Sequence, residues 1–88
     1  MSEIRVYTTP ICGYCFMAKR LLKARDLPFE EINVAGDTEA RRWLVEATGQ
    51  RTVPQIFIDG KSVGGYRELH ALERAGGLDH LEPTDTAS

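Results

Sequence analysis

The sequence predicts a single α/β domain built on a four-stranded mixed sheet flanked by three or more helices. Three observations carry that expectation. Apolar residues switch along the chain between a period of two and a helical period. An Asp59-Gly60 pair sits between two β-rich runs, the signal of a two-residue hairpin. The first two strand-like runs are separated by a helix-length segment, as a parallel crossover requires.

Taken in order, "IRVY" (4–7) alternates apolar and charged residues and predicts a short strand. From Cys12 the period changes. Cys15, Ala18 and Leu22, then Met17, Leu21 and Ala24, recur at helical spacing through Arg25. The helix should end near Asp26, because Pro28 biases Leu27 out of helical geometry. "PFEEINV" (28–34) predicts a second strand carrying Phe29, Ile32 and Val34. Asp37 or Thr38 then offers an N-cap, Ala40, Trp43, Leu44 and Ala47 an apolar stripe, and Gly49 a C-cap. "QIFIDGKSV" predicts a hairpin with a type I′ turn. "GGYRELHALERAGG" predicts a third helix with Leu69, Leu72 and Ala75 facing inward, and "LDHL" a last turn. One domain is expected over 1–82 and a disordered tail over 83–88.

Composition narrows the function. The chain has 88 residues and a formal net charge of −2 from interleaved acids and bases, which argues against nucleic acid as a partner. No apolar run approaches the ~18 residues of a membrane span. "MSEIRVY" lacks the charged-then-apolar plan of a signal peptide, so a cytoplasmic protein is expected. In that reducing compartment a disulfide is seldom structural. Cys12 and Cys15, the only two cysteines, are also too close in sequence to staple distant parts of a fold. A zinc site needs four ligands, and His70 and His80 stand ten residues apart, too wide for a ligand pair. A working dithiol remains.

Cys12 falls where a strand and loop give way to a helix. Free N–H groups at a helix start carry about +0.5 of effective charge, which favours a thiolate over a thiol. Thiolate is the attacking form in thiol–disulfide exchange. Cys15 lies one turn further in, at the roughly 5–6 Å Cα separation that a disulfide prefers. Being deeper, it is the poorer thiolate. Cys12 should attack and Cys15 should resolve.

"CGYC", "TVPQIFIDG" and "VGGYREL" occur together, in the order and spacing of the glutaredoxins. From about Ile4 to Leu81 the chain resembles small bacterial dithiol glutaredoxins. The resemblance implies a thioredoxin fold, which agrees with the element order above. It also implies an enzyme that reduces protein disulfides and glutathione mixed disulfides, with glutathione as reductant and Cys12 and Cys15 as its catalytic thiols. By the same resemblance the Val53–Pro54 bond is cis, and Val53 offers its N–H and C=O to glutathione's cysteinyl backbone. Tyr66 and Arg67 hold the γ-glutamyl carboxylate at a helix start, and Glu68 its ammonium. Gly64 and Gly65 permit close approach, and Thr52 belongs to the same "TVP" turn. Arg51 and Arg41 match contacts to the glycyl carboxylate, and Tyr14 flanks the thiol groove.

The chain departs from the common pattern at four places. Gly13 replaces a proline, Thr9 a lysine, Arg67 a serine or aspartate, and Glu68 an aspartate. Gly13 keeps a second class of function open, because some glutaredoxins with a small residue there bind a [2Fe–2S] cluster between two copies. Cys12 and glutathione would then be the ligands, and no other metal site is expected. A third reading is a redoxin reduced by a flavoprotein or another small thiol; "GGYREL" favours glutathione over it. Expected partners are glutathione and disulfide-bearing or glutathionylated proteins, a ribonucleotide reductase being one that suits. The expected form is a monomer, dimeric only around a cluster.

Overall fold

The computed structural model describes residues 3–79 and 81. Its elements run β1 (Ile4–Thr8), α1 (Gly13–Ala24), β2 (Glu30–Asn33), α2 (Thr38–Thr48), β3 (Gln55–Ile58), β4 (Lys61–Gly64) and α3 (Tyr66–Arg74). The strands form one sheet in the order β2-β1-β3-β4. β1 lies parallel to β2 and antiparallel to β3, and β3 lies antiparallel to β4. Asp59 and Gly60 adopt φ of 53° and 82°, so both turn residues are left-handed, as a type I′ hairpin needs.

Alternation along the strands divides the core in two. Ile4, Val6, Ile56 and Ile58 face α1 and α3, where they meet Ala18, Leu22 and Leu69. Tyr7 and Phe57 are one residue out of phase and point the other way, toward Leu44 of α2 and Val34. Helices therefore cover both faces, two on one side and one on the other. Among the described residues no helix is long and apolar enough to cross a membrane.

Several boundaries differ from the sequence reading. The second strand keeps only Glu30–Asn33 of 28–34. Phe29 before it and Val34 after it still reach the core, on opposite faces. The α2 stripe narrows to Ala40 and Leu44, with Trp43 46% exposed and Ala47 exposed. A single helix lying on strands of four or five residues buries only the residues directly above them. Trp43 instead lays its ring beside Tyr7 and Phe57, with centroids 5.6 and 5.5 Å away. Ala75 is exposed because α3 ends at Arg74 and Ala75 is its C-cap. Leu78 and Leu81, from the turns beyond, complete the α1–α3 side of the core. His80 and the tail expected at 83–88 lie outside the described residues.

Two polar latches hold α1, and with it the loop that leads into it. Lys19 of α1 and Thr8 of β1 both donate to Oε2 of Glu31 on β2, at 2.9 and 2.8 Å. The Lys19 bond first, and the Thr8 bond second, hold the Glu31 carboxyl below its usual range. At the far end Arg25 pairs with Glu73 of α3 at 3.1 Å and with Asp79 beyond it.

Candidate active site

β1 ends at Thr8 and α1 begins at Gly13, so a short loop delivers Cys12 to the helix entrance. Cys12 is the N-cap, extended at φ −156° and ψ 106°, and its Sγ accepts the N–H of Cys15 at 3.1 Å. A cap acceptor sits where the free N–H groups of the helix concentrate positive potential. As a thiol, Cys12 donates to the carbonyl of Val53 at 3.6 Å.

The two thiols are free and differ in depth. Cys12 is half-buried, whereas Cys15 is 2% exposed. Burial, and after it the hydrogen bond with Cys12, pushes the Cys15 thiol up to about 12. At neutral pH Cys15 keeps its proton, one helical turn behind Cys12.

The segment before β3 forms the opposite wall, and the Val53–Pro54 bond in it is cis. Gln55 anchors this segment from below. It is 0% exposed, and its Nε2 donates to Gln50 Oε1 at 3.0 Å and to the Thr52 carbonyl at 2.9 Å. Sequence reasoning missed both glutamines. The available signal was a polar residue inside the apolar run "VPQIFI", where a buried amide must have partners.

α3 supplies the third side. Gly65 is its N-cap and brings no side chain to the helix start. Oε1 of Glu68 accepts the Gly65 N–H at 2.7 Å, so the carboxylate expected to face a ligand also caps its own helix. Gly64 must be glycine: its φ is 116°, and a Cβ there would lie 2.9 Å from Cγ of Glu68. Tyr66 stacks on Tyr14 of α1 at 6.0 Å and 24°, closing the groove between the helices.

These walls enclose a cavity of about 600 Å³ lined by Tyr14, Gln50, Arg51, Thr52, Val53, Pro54, Gly65, Tyr66, Arg67 and Glu68. It gathers the non-cysteine residues expected at the glutathione site except Arg41 and Gly64, and it adds Gln50. Arg41, on α2, lines an adjoining cavity of about 650 Å³ that shares the Gln50–Val53 wall. Among the described residues no group of three or more His, Cys, Asp or Glu side chains is placed to hold a metal ion.

A half-buried cap thiol, a fully buried thiol one turn behind it and a cis-proline wall, all on a mixed four-stranded sheet, define a thiol–disulfide oxidoreductase of the thioredoxin fold. Comparison with known proteins narrows the class. The family model described as Glutaredoxin matches residues 4–63. The chain is 48% identical over 81 residues to a glutaredoxin of Pseudomonas aeruginosa, covering 92% of this chain and 96% of that one. It is 41% identical over 81 residues to glutaredoxin 3 of Escherichia coli, covering 92% and 98% of the two chains. The crystal structure of a buckwheat glutaredoxin–glutathione complex matches with a TM-score of 0.82 at 31% identity, over 89% of this chain and 74% of that one. The chain belongs to the glutaredoxin family, whose members are glutathione-dependent thiol–disulfide oxidoreductases.

Proposed function

We propose that the protein reduces protein disulfides and glutathione mixed disulfides with Cys12 as nucleophile, Cys15 as resolving thiol and glutathione as electron donor. The asymmetry of the two thiols carries this reading. Cys12's sulfur caps α1 and reaches the cavity wall at Val53, while Cys15 stays buried and protonated behind it. The Cys12 thiolate attacks one sulfur of a substrate disulfide. That bond breaks, a Cys12–substrate disulfide forms, and the other sulfur leaves and takes a proton. Cys15 gives up its proton as it attacks Cys12 Sγ, which frees the second substrate thiol and leaves a Cys12–Cys15 disulfide. Two glutathione molecules return the dithiol and depart as glutathione disulfide. A glutathionylated substrate needs only Cys12, because a second glutathione can release the glutathionyl group.

The cavity suits glutathione along its length. Val53 offers main-chain groups beside Cys12 for an added strand. The start of α3, at Tyr66 and Arg67, suits the γ-glutamyl carboxylate, and Glu68 its ammonium. Gly65 allows close approach, Thr52 and Pro54 form the wall, and Tyr14 covers the sulfur. Arg51 and, from the adjoining cavity, Arg41 suit the glycyl carboxylate. The buckwheat relative, solved as a glutathione complex, supports glutathione as the ligand. The working form in this reading is a cytoplasmic monomer, and a ribonucleotide reductase is a suitable protein substrate. A brown dimer after anaerobic purification with glutathione would instead favour the cluster.

The test is glutathione-dependent reduction of a glutathionylated substrate, followed through glutathione reductase and NADPH. Cys12→Ser should abolish the rate while folding normally, since serine is a good N-cap. Cys15→Ser should keep it yet lose reduction of protein disulfides. Glu68→Gln retains an acceptor for Gly65 and removes the charge, so the KM for glutathione should rise severalfold without a change in Tm. A negligible rate in the intact, reduced protein, or loss of both activities in Cys15→Ser, overturns the scheme.

A further inference from the structure

The adjoining cavity, between α2 and the Gln50–Val53 wall, is larger than the thiol groove and mostly unassigned. Its rim carries Arg41, Arg42 and Arg51 against one carboxylate, Glu46. Among the described residues the ion pairs are made by Arg5, Lys19 and Arg25, so these three guanidinium groups have no carboxylate partner. A concentration of unpaired positive charge runs against the formal net charge of −2 for the whole chain. Leu44 and Val45 contribute an apolar floor beneath it. Guanidinium groups over an apolar floor fit carboxylates carried on a peptide.

We propose that this cavity receives the polypeptide that follows a substrate's reactive cysteine, and that it selects acidic residues there. The inference rests on the glutathione placement above. In that placement the γ-glutamyl end lies at α3 and the glycyl end at α2. Glycine follows cysteine in glutathione, so a polypeptide bound in the same register sends its C-terminal side toward α2. The glycyl group ends near Arg51 and Arg41. Arg42 and Val45 line the same cavity as Arg41, and four helical residues from Arg41 to Val45 rise about 6 Å. That distance accommodates about two extended residues at roughly 3.3 Å each. The carboxylates read by Arg41 and Arg42 therefore sit one to three positions after the cysteine.

The test uses Cys15→Ser, in which a mixed disulfide stays on Cys12. Protein glutathionylated on Cys12 is equilibrated with reduced peptides in which Asp-Asp, Asn-Asn or Lys-Lys follows Cys-Gly. The peptide thiolate attacks Cys12 Sγ, the Cys12–glutathione bond breaks, a Cys12–peptide bond forms, and glutathione leaves with the proton. There is no net oxidation. Mass spectrometry gives the ratio of products, referenced to the same exchange with glutathione disulfide in solution, which removes differences between the free thiols. The acidic peptide should be retained several-fold over the lysine peptide at low salt, as two exposed ion pairs on one side and like-charge repulsion on the other allow. The preference should collapse at about 1 M salt. Arg42→Glu should abolish or reverse it while leaving the coupled rate on a small disulfide unchanged. Equal retention of the three peptides, or a preference that survives Arg42→Glu, overturns the inference. Glutathione itself reports separately: if Cys12 holds it no better than 2-mercaptoethanol, the glutathione site fails, whatever the peptides do.

Discussion

Cys15 keeps its proton because its sulfur is buried and is hydrogen-bonded to Cys12. An unfolded cysteine titrates near ~8.5, whereas the folded one is pushed up to about 12. Between those values the folded chain holds a proton that the unfolded chain has lost. Fewer protons on the unfolded state mean that stability falls as pH rises. This contribution is complete below about 8.5 and declines above it by at most about 1.4 kcal/mol per pH unit. The urea midpoint of the reduced protein should therefore drop more steeply from pH 8 to 10 than that of Cys15→Ser. Parallel slopes would mean that the thiol titrates alike in both states. The depth of Cys15 was legible from its place one turn inside a helix. Gln55 was not, because its value lies in three groups it reaches across a loop.

At the scale of the element, α1 is the part on which the chemistry depends, and its first residue is unusual. Gly13 takes the position where a proline is favoured. A Cβ built on it meets nothing within 4 Å. Cys12 before it is already extended at ψ 106°, close to the backbone that a following proline requires. The N–H lost to proline is one that a helix start leaves without an intrahelical partner. Gly13→Pro should thus fold unchanged and gain about 0.4–1 kcal/mol, mainly by restricting the unfolded chain. Urea unfolding of the two reduced proteins checks this. A loss of stability would show that the loop entering α1 needs the freedom of glycine. The cap itself was legible, since a residue between a strand run and a helical period is an N-cap candidate. Glu68 capping α3 through Gly65 was legible only in part: the spacing allowed it, but the same spacing suited a ligand contact.

The whole molecule is asymmetric about its sheet. The α1–α3 side holds most of the buried aliphatic residues, and Leu69 there is 0% exposed. The α2 side rests on fewer buried side chains and on an aromatic trio whose Trp43 remains half-exposed. Leu69→Ala should cost about 2–5 kcal/mol, because it opens a cavity that α3 cannot close without moving. Trp43→Ala should cost about 1–2 kcal/mol, the loss of two partly wet aromatic contacts. Circular dichroism during urea unfolding measures both, and equal losses would contradict a core weighted to one face. The first loss is a large share of the roughly 5–15 kcal/mol that holds a domain together. Because α3 also forms one side of the thiol groove, Leu69→Ala should weaken the site along with the fold.

The sequence by itself determined the element order, the hairpin, the caps and the two thiols with their separate depths. Each of these depends on neighbours within about four residues, where spacing and residue type act directly. Its three motifs also named most of the groove, because each motif supplies one wall. Only the tertiary structure decided which walls meet. It set Arg41 outside the groove and Gln50 inside it, buried Gln55 beneath the loop, and left Trp43 and Ala47 in solvent. It also gathered Arg41, Arg42 and Arg51 around one cavity. The physical reason is common to all of these: they are set by how a helix crosses a short sheet and where a loop turns back, and no local period records that.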